Sequence, residues 1–214
     1  MKKTILAIAL FAGVLCVRAS AEGYFNSTEV WGSLVFGGLL SGFQLDLPQQ
    51  SLTPAPQGCS TILPMLGIRT YFVGPLGVEA SVGFAGRTTA NFGSGYNSIG
   101  MYDYTMLNLG IVMRYTFRLP GSRTGCALFG GGGANYSFLA LDSAYTSLFS
   151  GVTFQNVVSD LGWYTKAGFA WYPTPGFFLE ATALYYYINS HFQVSGKQLD
   201  GSYLLGAFSL GLAF

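Results

Sequence analysis

The chain has 214 residues, of which 50% are hydrophobic, 16% are aromatic and only 9% are charged, with a formal net charge of +1. Soluble domains carry about 25% charged residues, so this composition argues against an ordinary water-soluble globule and against a disordered chain. No apolar run reaches the roughly 18 residues of a membrane-spanning helix, which leaves a closed β-barrel as the architecture that can cross a bilayer.

The N-terminus has the pattern of a secretory signal peptide. Two lysines precede an apolar segment over residues 4–17, and the small residues Ala19-Ser20-Ala21 follow it. We predict that residues 1–21 are a signal peptide and that residues 22–214 form the mature domain, with lipid attachment at Cys16 as the alternative. The signal peptide contains three of the ten cationic side chains, so seven remain against nine acidic ones, and we expect no nucleic-acid partner.

Eight segments of the mature chain alternate apolar residues with small or polar ones. In the fourth segment, Leu107, Leu109 and Ile111 alternate with Asn108 and Gly110. A period of two predicts β-strands, and about ten residues suit a tilted strand across a bilayer. The eight segments cover residues 29–40, 61–73, 77–87, 103–117, 125–138, 159–172, 177–188 and 202–214.

Short and long connections alternate strictly between these segments. The short ones, which contain Pro or Gly, are residues 74–76, 119–124 and 173–176, and the long ones are residues 41–60, 88–102, 139–158 and 189–201. This order predicts an all-β fold, an eight-stranded antiparallel transmembrane up-and-down β-barrel. Outer-membrane barrels turn their short connections to the periplasm, so we expect a location in the bacterial outer membrane with both termini periplasmic.

The ionisable side chains of the strands lie on the less apolar face. A soluble eight-stranded calyx would leave an outer wall of Gly, Ser and Thr with few charges, so we favour lipid outside and charges inside. Because the signs alternate between neighbouring strands, we expect these charges to pair across the ladder and to fill the periplasmic third of the lumen. Both a structural plug and a narrow ion path remain open. The residues are Glu29, Arg69, Glu79, Arg114, Lys166 and Glu180.

The part of the lumen near the long loops is predicted to be apolar and to form a cavity, although ordinary core filling uses the same residue types. Its inward residues are Val35, Leu39, Leu63, Met65, Met106, Leu184, Tyr186 and Leu205. Apolar residues at spacings of three to four predict a short amphipathic helix within residues 139–158. Trp163 and Trp171, on the outer face of the sixth segment, are expected to lie in the two aromatic girdles.

The chain resembles the small eight-stranded outer-membrane proteins that include the OmpA, OmpX and OmpW-type barrels. The resemblance rests on the signal peptide, the strand count, the alternating loops and the C-terminal Leu210-Gly211-Leu212-Ala213-Phe214. It implies a membrane barrel in outer-membrane lipid, without a cofactor, whose Phe214 is recognised by the barrel assembly machinery. An OmpW-like barrel would admit small hydrophobic molecules through the apolar part of the lumen near the long loops. The alternative is an OmpX- or OmpA-like surface barrel whose long loops contact host surface molecules.

Candidate catalytic and metal-binding residues are few. The single histidine, His191, lies beside Ser190 and near Asp200, but this set matches no lipid-modifying pattern of outer-membrane enzymes, so we expect no enzyme and no metal site. Cys59 and Cys126 are placed by the topology at opposite rims of the barrel. Because a disulfide needs a Cα separation below about 7 Å, we predict that the two cysteines do not form one.

Overall fold

The computed structural model describes residues 28–41, 58–91, 99–118, 124–143, 157–194 and 197–214. They form eight antiparallel strands in which each strand pairs with its sequence neighbours and the first closes on the last. The predicted barrel is confirmed, while the predicted signal peptide lies outside the described residues. The strands are β1 (Thr28–Ser41), β2 (Gly58–Val73), β3 (Leu76–Asn91), β4 (Ile99–Arg118), β5 (Gly125–Leu141), β6 (Val157–Thr174), β7 (Phe177–Val194) and β8 (Lys197–Ala213).

Each strand turns one face to the lumen and the other outward, as the period of two requires. In β4, Leu109 and Ile111 expose 62% and 59% of their surface, whereas Asn108, Val112 and Arg114 are buried. The outer wall is therefore apolar and the polar groups lie inside, which is the reverse of a soluble domain. Within the described ranges, no helix is both long enough and apolar enough to cross a membrane.

The two ends of the barrel differ, and we name them by their connections. The turn end carries the connections at 74–75, 119–124 and 175–176, and the loop end is the opposite one. Gly74 and Gly176 have φ of 53° and 83°, values that glycine adopts without steric cost. Thr28 and Phe214, the first and last residues that the structure describes, lie at the turn end and exchange two backbone hydrogen bonds.

The predicted long loop at residues 189–201 is wrong. β7 continues to Val194 and β8 begins at Lys197, and these two residues pair directly. Only Ser195-Gly196 separates the two strands in the sequence, and Ser-Gly is a dipeptide that is common in turns and loops. Strand pairing beyond the bilayer needs no apolar outer face, so the alternation that identified the other strand segments gives no signal there. The helix predicted within 139–158 lies largely outside the described residues.

Aromatic side chains in the lumen pack against glycines. In three cases the glycine is the direct partner of the aromatic residue on the neighbouring strand, and a Cβ atom there would overlap the ring. The absence of a side chain thus provides the space that each ring occupies in a narrow barrel. The pairs are Trp31 with Gly67, Phe129 with Gly168 and Phe178 with Gly211.

Alanine at Gly67 is expected to lower the free energy of unfolding by about 1–3 kcal/mol, because its methyl group overlaps the Trp31 ring and forces repacking. Gly130→Ala is the matched control, since the nearest atom to a Cβ there is the Lys166 carbonyl oxygen at 3.6 Å. Urea titration of refolded barrel in lipid vesicles measures both variants. Equal stability of the two variants would contradict the proposed packing of Trp31 on glycine.

Candidate functional site

The six predicted ionisable residues lie together inside the barrel, and we call them the charged plug. All are at least 93% buried. With three carboxylates and three cations, the plug carries no formal net charge, as groups removed from water require. Its members are Glu29, Arg69, Glu79, Arg114, Lys166 and Glu180.

Arg69 joins two acidic residues from different strands of the barrel. Its Nε donates to Glu29 of β1, and its Nη2 donates to Glu180 of β7 at 2.5 Å. The rings of Phe129 and Phe178 lie 5.0 Å and 5.2 Å from its Cζ atom, within the range of cation–π attraction. The guanidinium is thus held by charge and by aromatic contacts at once.

Glu29 accepts hydrogen bonds from three side chains. Besides Arg69, its carboxylate accepts from Arg114 Nη1 at 2.6 Å and from the Tyr172 hydroxyl at 2.6 Å. The Cζ atom of Arg114 lies 3.7 Å from the Tyr71 ring centre. Charge-assisted bonds of this kind are about twice as strong as neutral ones. Because its three donors lie on β2, β4 and β6, Glu29 of β1 joins four strands of the wall.

Lys166 and Glu79 form the other ion pair of the plug. Lys166 Nζ donates to Glu79 Oε2 and lies 5.3 Å and 5.7 Å from the ring centres of Phe129 and Trp31. This pair connects β6 with β3, which lie three strands apart around the closed barrel. It therefore crosses the lumen and narrows it.

The expectation that the charges pair between neighbouring strands is right only for Glu29 with Arg69. Arg69 and Glu79 are direct partners in the β2–β3 register, yet Arg69 binds Glu180 and Glu79 binds Lys166. An eight-stranded barrel is narrow enough for long side chains from opposite walls to meet. Pairing across the axis depends on the stagger of the strands, which strand-by-strand periodicity does not reveal.

A network of hydrogen-bonded polar side chains, which we call the amide network, lies on β3, β4 and β5. Ser137 donates to Asn135 at 2.7 Å, Asn135 donates to Asn108 at 2.8 Å, and Asn108 donates to Ser81 at 3.1 Å. Asn108 also donates to the Tyr186 hydroxyl at 3.1 Å. The sequence prediction missed this network, although the alternation of inward and outward residues along each strand places every member inside.

Seven of the eight residues predicted for the apolar cavity are at least 95% buried and belong to one apolar cluster: Val35, Leu63, Met65, Met106, Leu184, Tyr186 and Leu205. The side chain of Leu39 lies outside the described part of the structure. The seven fill this part of the lumen, and a cavity of about 10 Å³ lies beside them. A ligand larger than one water molecule would have to displace side chains here.

The β2–β3 ladder is interrupted beside this cluster. Ile62 pairs with Arg87 and Met65 pairs with Gly83. Two residues of β2, 63–64, therefore lie opposite three residues of β3, 84–86. We call these five residues the ladder break. Pro64 has no backbone N–H to donate, and Ala85 has a φ of 52°, a sparsely populated conformation for a residue with a side chain.

Leu63 closes the ladder break from inside. Its side chain is fully buried, and Cβ atoms added to Gly83 or Gly86 would lie within 2.7 Å of it. Tyr104 also borders Gly86. Leu63 therefore belongs both to the apolar cluster and to the ladder break, where Tyr104 packs beside it.

The outer wall carries the predicted aromatic pair. Trp163 and Trp171 both point outward, with 47% and 40% of their surface exposed. Tyr185 and Tyr187 lie beside Trp163, with ring centres at 5.4 Å and 5.8 Å. Trp163 is therefore part of an aromatic group on β6 and β7.

The remaining predicted candidates form no site in the described structure. Cys126 is a free, buried cysteine near the turn end, and Cys59 lies near the loop end of β2. The side chains of Ser190, His191 and Asp200 lie outside the described part. Among the residues that the structure describes, no group of three acidic, histidine or cysteine side chains could hold a metal ion.

The buried charged plug predicts that refolded protein in a planar bilayer shows no wide conductance. Ion pairs from opposite walls fill the lumen cross-section at this level, and an eight-stranded barrel leaves no further room. Bilayers that receive the same detergent without protein provide the baseline. A wide, nonselective conductance from pure protein would contradict a closed plug.

Comparison with known proteins supports the fold. No protein-family model and no curated protein matches the sequence. The outer-membrane protein OprG from Pseudomonas aeruginosa matches with a TM-score of 0.52 and 16% identity, over 90% of this chain and 98% of OprG. Neisserial surface protein A gives a TM-score of 0.47 and 14% identity over 87% of this chain and 97% of its own, and Escherichia coli outer membrane protein W gives 0.36 and 14% over 88% and 98%. The match to OprG thus confirms the expected likeness to small eight-stranded outer-membrane barrels, for the fold alone.

Proposed function

We propose that residues 22–214, after removal of the signal peptide, reside in a bacterial outer membrane with both termini in the periplasm. The apolar outer wall and the fold shared with OprG support this location. Trp163 and Trp171 would then lie at the two interfaces, and Phe214 would be the residue that the assembly machinery recognises. Outer-membrane lipid is the immediate partner of the exposed leucine, phenylalanine and isoleucine side chains.

We further propose that the barrel admits small hydrophobic molecules through its loop end and releases them sideways into the membrane. The observation that carries this proposal is Leu63, which belongs both to the buried apolar cluster and to the ladder break. The charged plug blocks the axial path, and an apolar molecule would lose its favourable surroundings among buried ions. For such a molecule, leaving through the wall at the ladder break is therefore the route with the lowest free-energy barrier.

Entry requires the apolar cluster to repack around the ligand. The cluster contains Met65 and Met106, and methionine fills irregular spaces with several rotatable bonds. Leu63 rests on two glycines, so its rotation meets no other side chain at those two positions. A filled but adaptable lumen of this kind favours small apolar ligands over large or charged ones.

Serine at Leu205 is expected to weaken the binding of a fluorescent fatty acid to refolded barrel, because a hydroxyl in the apolar cluster opposes burial of an acyl chain. The same result is expected for serine at Leu63 or Met106. Leu204→Ser is the matched control, since this adjacent leucine points outward with half of its surface exposed. Fluorescence titration at equal protein concentration measures each variant, and unchanged binding at Leu63, Met106 and Leu205 would reject the proposed ligand site.

An interaction protein is the second candidate function, and the filled lumen favours it. The described lumen contains a cavity of only about 10 Å³, whereas small-molecule pockets usually have volumes of about 300–1,000 Å³. A barrel that acts through its surface loops would bind the fatty-acid probe in neither the wild type nor the variants. It would instead lose binding to host matrix when residues 92–98 are deleted from a barrel that still folds.

A further inference from the structure

A small cavity lies between the charged plug and the apolar cluster. Its volume is about 10 Å³, close to the smallest cavity volume that admits one water molecule. Trp31 and Ser33 of β1 line one side, and the Glu79–Lys166 ion pair and Glu180 also border it. The cavity is therefore surrounded by hydrogen-bonding groups and by both signs of charge.

Two residues that line this cavity each have a buried polar atom without a hydrogen-bond partner among the protein groups. The two atoms are Nε1 of Trp31, a residue that is 94% buried, and the buried Oγ of Ser33. An indole N–H can only donate, whereas a hydroxyl both donates and accepts. Leaving such groups unsatisfied is unfavourable. The two atoms therefore indicate a ligand that accepts a hydrogen bond from the indole and donates to or accepts from the hydroxyl.

The charges around the cavity decide the chemical class of this ligand. A cation would meet the Lys166 ammonium and could not accept a hydrogen bond from Trp31. An anion would meet the carboxylates of Glu79 and Glu180. A neutral molecule that both donates and accepts avoids both conflicts, and only water fits the volume.

We propose that the barrel holds one long-lived internal water molecule at this site, hydrogen-bonded to Trp31 Nε1 and Ser33 Oγ. The water completes the hydrogen bonding of β1 at the level where the ion pairs end and the apolar cluster begins. It lies inside the barrel, with the charged plug on one side and apolar side chains on the other.

Nuclear magnetic resonance of the ¹⁵N-labelled tryptophan indoles tests this site in refolded protein. The chain has three tryptophans, so three indole signals are expected, and Trp31→Phe assigns the signal of Trp31. We expect a cross-peak between the Trp31 indole proton and water, with the sign of a slowly exchanging bound molecule. Its absence in the wild type would overturn the proposal.

Two substitutions of Ser33 separate bound water from other sources of the cross-peak. Ser33→Val fills the cavity with methyl groups and should abolish the cross-peak while the Trp163 and Trp171 signals stay in place. Ser33→Ala should retain it, because the cavity remains but the exchangeable hydroxyl proton is gone. Loss in the alanine variant would show relay through the hydroxyl, and a saturable shift of the Trp31 signal with sodium or chloride would show an ion. Either result would overturn the water assignment.

Discussion

Replacing Arg69 by methionine is expected to lower the free energy of unfolding by about 3–5 kcal/mol, the usual cost of removing one partner from a buried ion pair. The side chain is fully buried and joins Glu29 to Glu180. Methionine keeps most of the volume between Phe129 and Phe178. The loss therefore comes from leaving Glu180 without its cation.

Arg87→Met is the matched control for this prediction. Arg87 also binds a carboxylate, Asp142 at 2.8 Å, but more than half of its side chain is exposed. Exposed ion pairs contribute about 0–1 kcal/mol, so the same substitution should have little effect there. The double variant Arg69→Met with Glu180→Gln should recover part of the loss, because it also removes the uncompensated carboxylate. Urea titration in lipid vesicles measures all three, and equal losses at Arg69 and Arg87 would contradict the charged plug as a stabilising unit.

Most of the fold and the inward or outward direction of each side chain could be predicted from the sequence. A strand in a closed barrel has two faces that meet different surroundings, so the period of two records both the strand and its orientation. This is why all six members of the charged plug and seven residues of the apolar cluster were placed inside correctly. The short turns were equally visible, because Gly74 and Gly176 adopt conformations that favour glycine.

Three features could not be predicted, and each depends on relations between strands. The partner of Arg69 on β7 is set by the stagger of strands on opposite sides of the lumen. The ladder break depends on a bulge of one extra residue around Ala85, and Pro64 alone does not locate it. The extension of β7 and β8 lies where no bilayer imposes an alternating pattern. Periodicity within one strand carries no information about these three.

The position of the ladder break relative to the charged plug bears on the route that we propose for small hydrophobic molecules. Glu29, Arg69 and Glu79 lie on the turn half of their strands, whereas Leu63 and Ala85 lie on the loop half. Any molecule that enters from the loop end therefore meets the ladder break before it meets buried charge. In the proposed route, an apolar molecule would therefore reach lipid through the ladder break without passing the buried charges.

A disulfide across the ladder break is expected to stop this sideways path. Thr61 and Thr88 are direct partners on β2 and β3 whose hydroxyl oxygens lie 2.8 Å apart, and directly opposed residues have Cα separations within the range for a disulfide. Cysteines at both positions, in a chain with Cys59 and Cys126 replaced by alanine, should form a bond that holds the two strands together. We expect the oxidised protein to transfer a fluorescent fatty acid no faster than protein-free vesicles, and the reduced protein to transfer it at the rate of the cysteine-free parent.

The assay uses vesicles with a lipopolysaccharide outer leaflet, which slows spontaneous entry of the probe. The control disulfide joins positions 116 and 127, direct inward partners on β4 and β5 in an uninterrupted ladder. It adds the same bond far from the ladder break, so its oxidation should leave transfer unchanged. If oxidation at Thr61 and Thr88 has no effect while the parent transfers the probe, the route does not pass between β2 and β3. If the parent itself transfers nothing, the barrel is not a path for hydrophobic molecules, and its filled lumen serves a protein that acts through its surface.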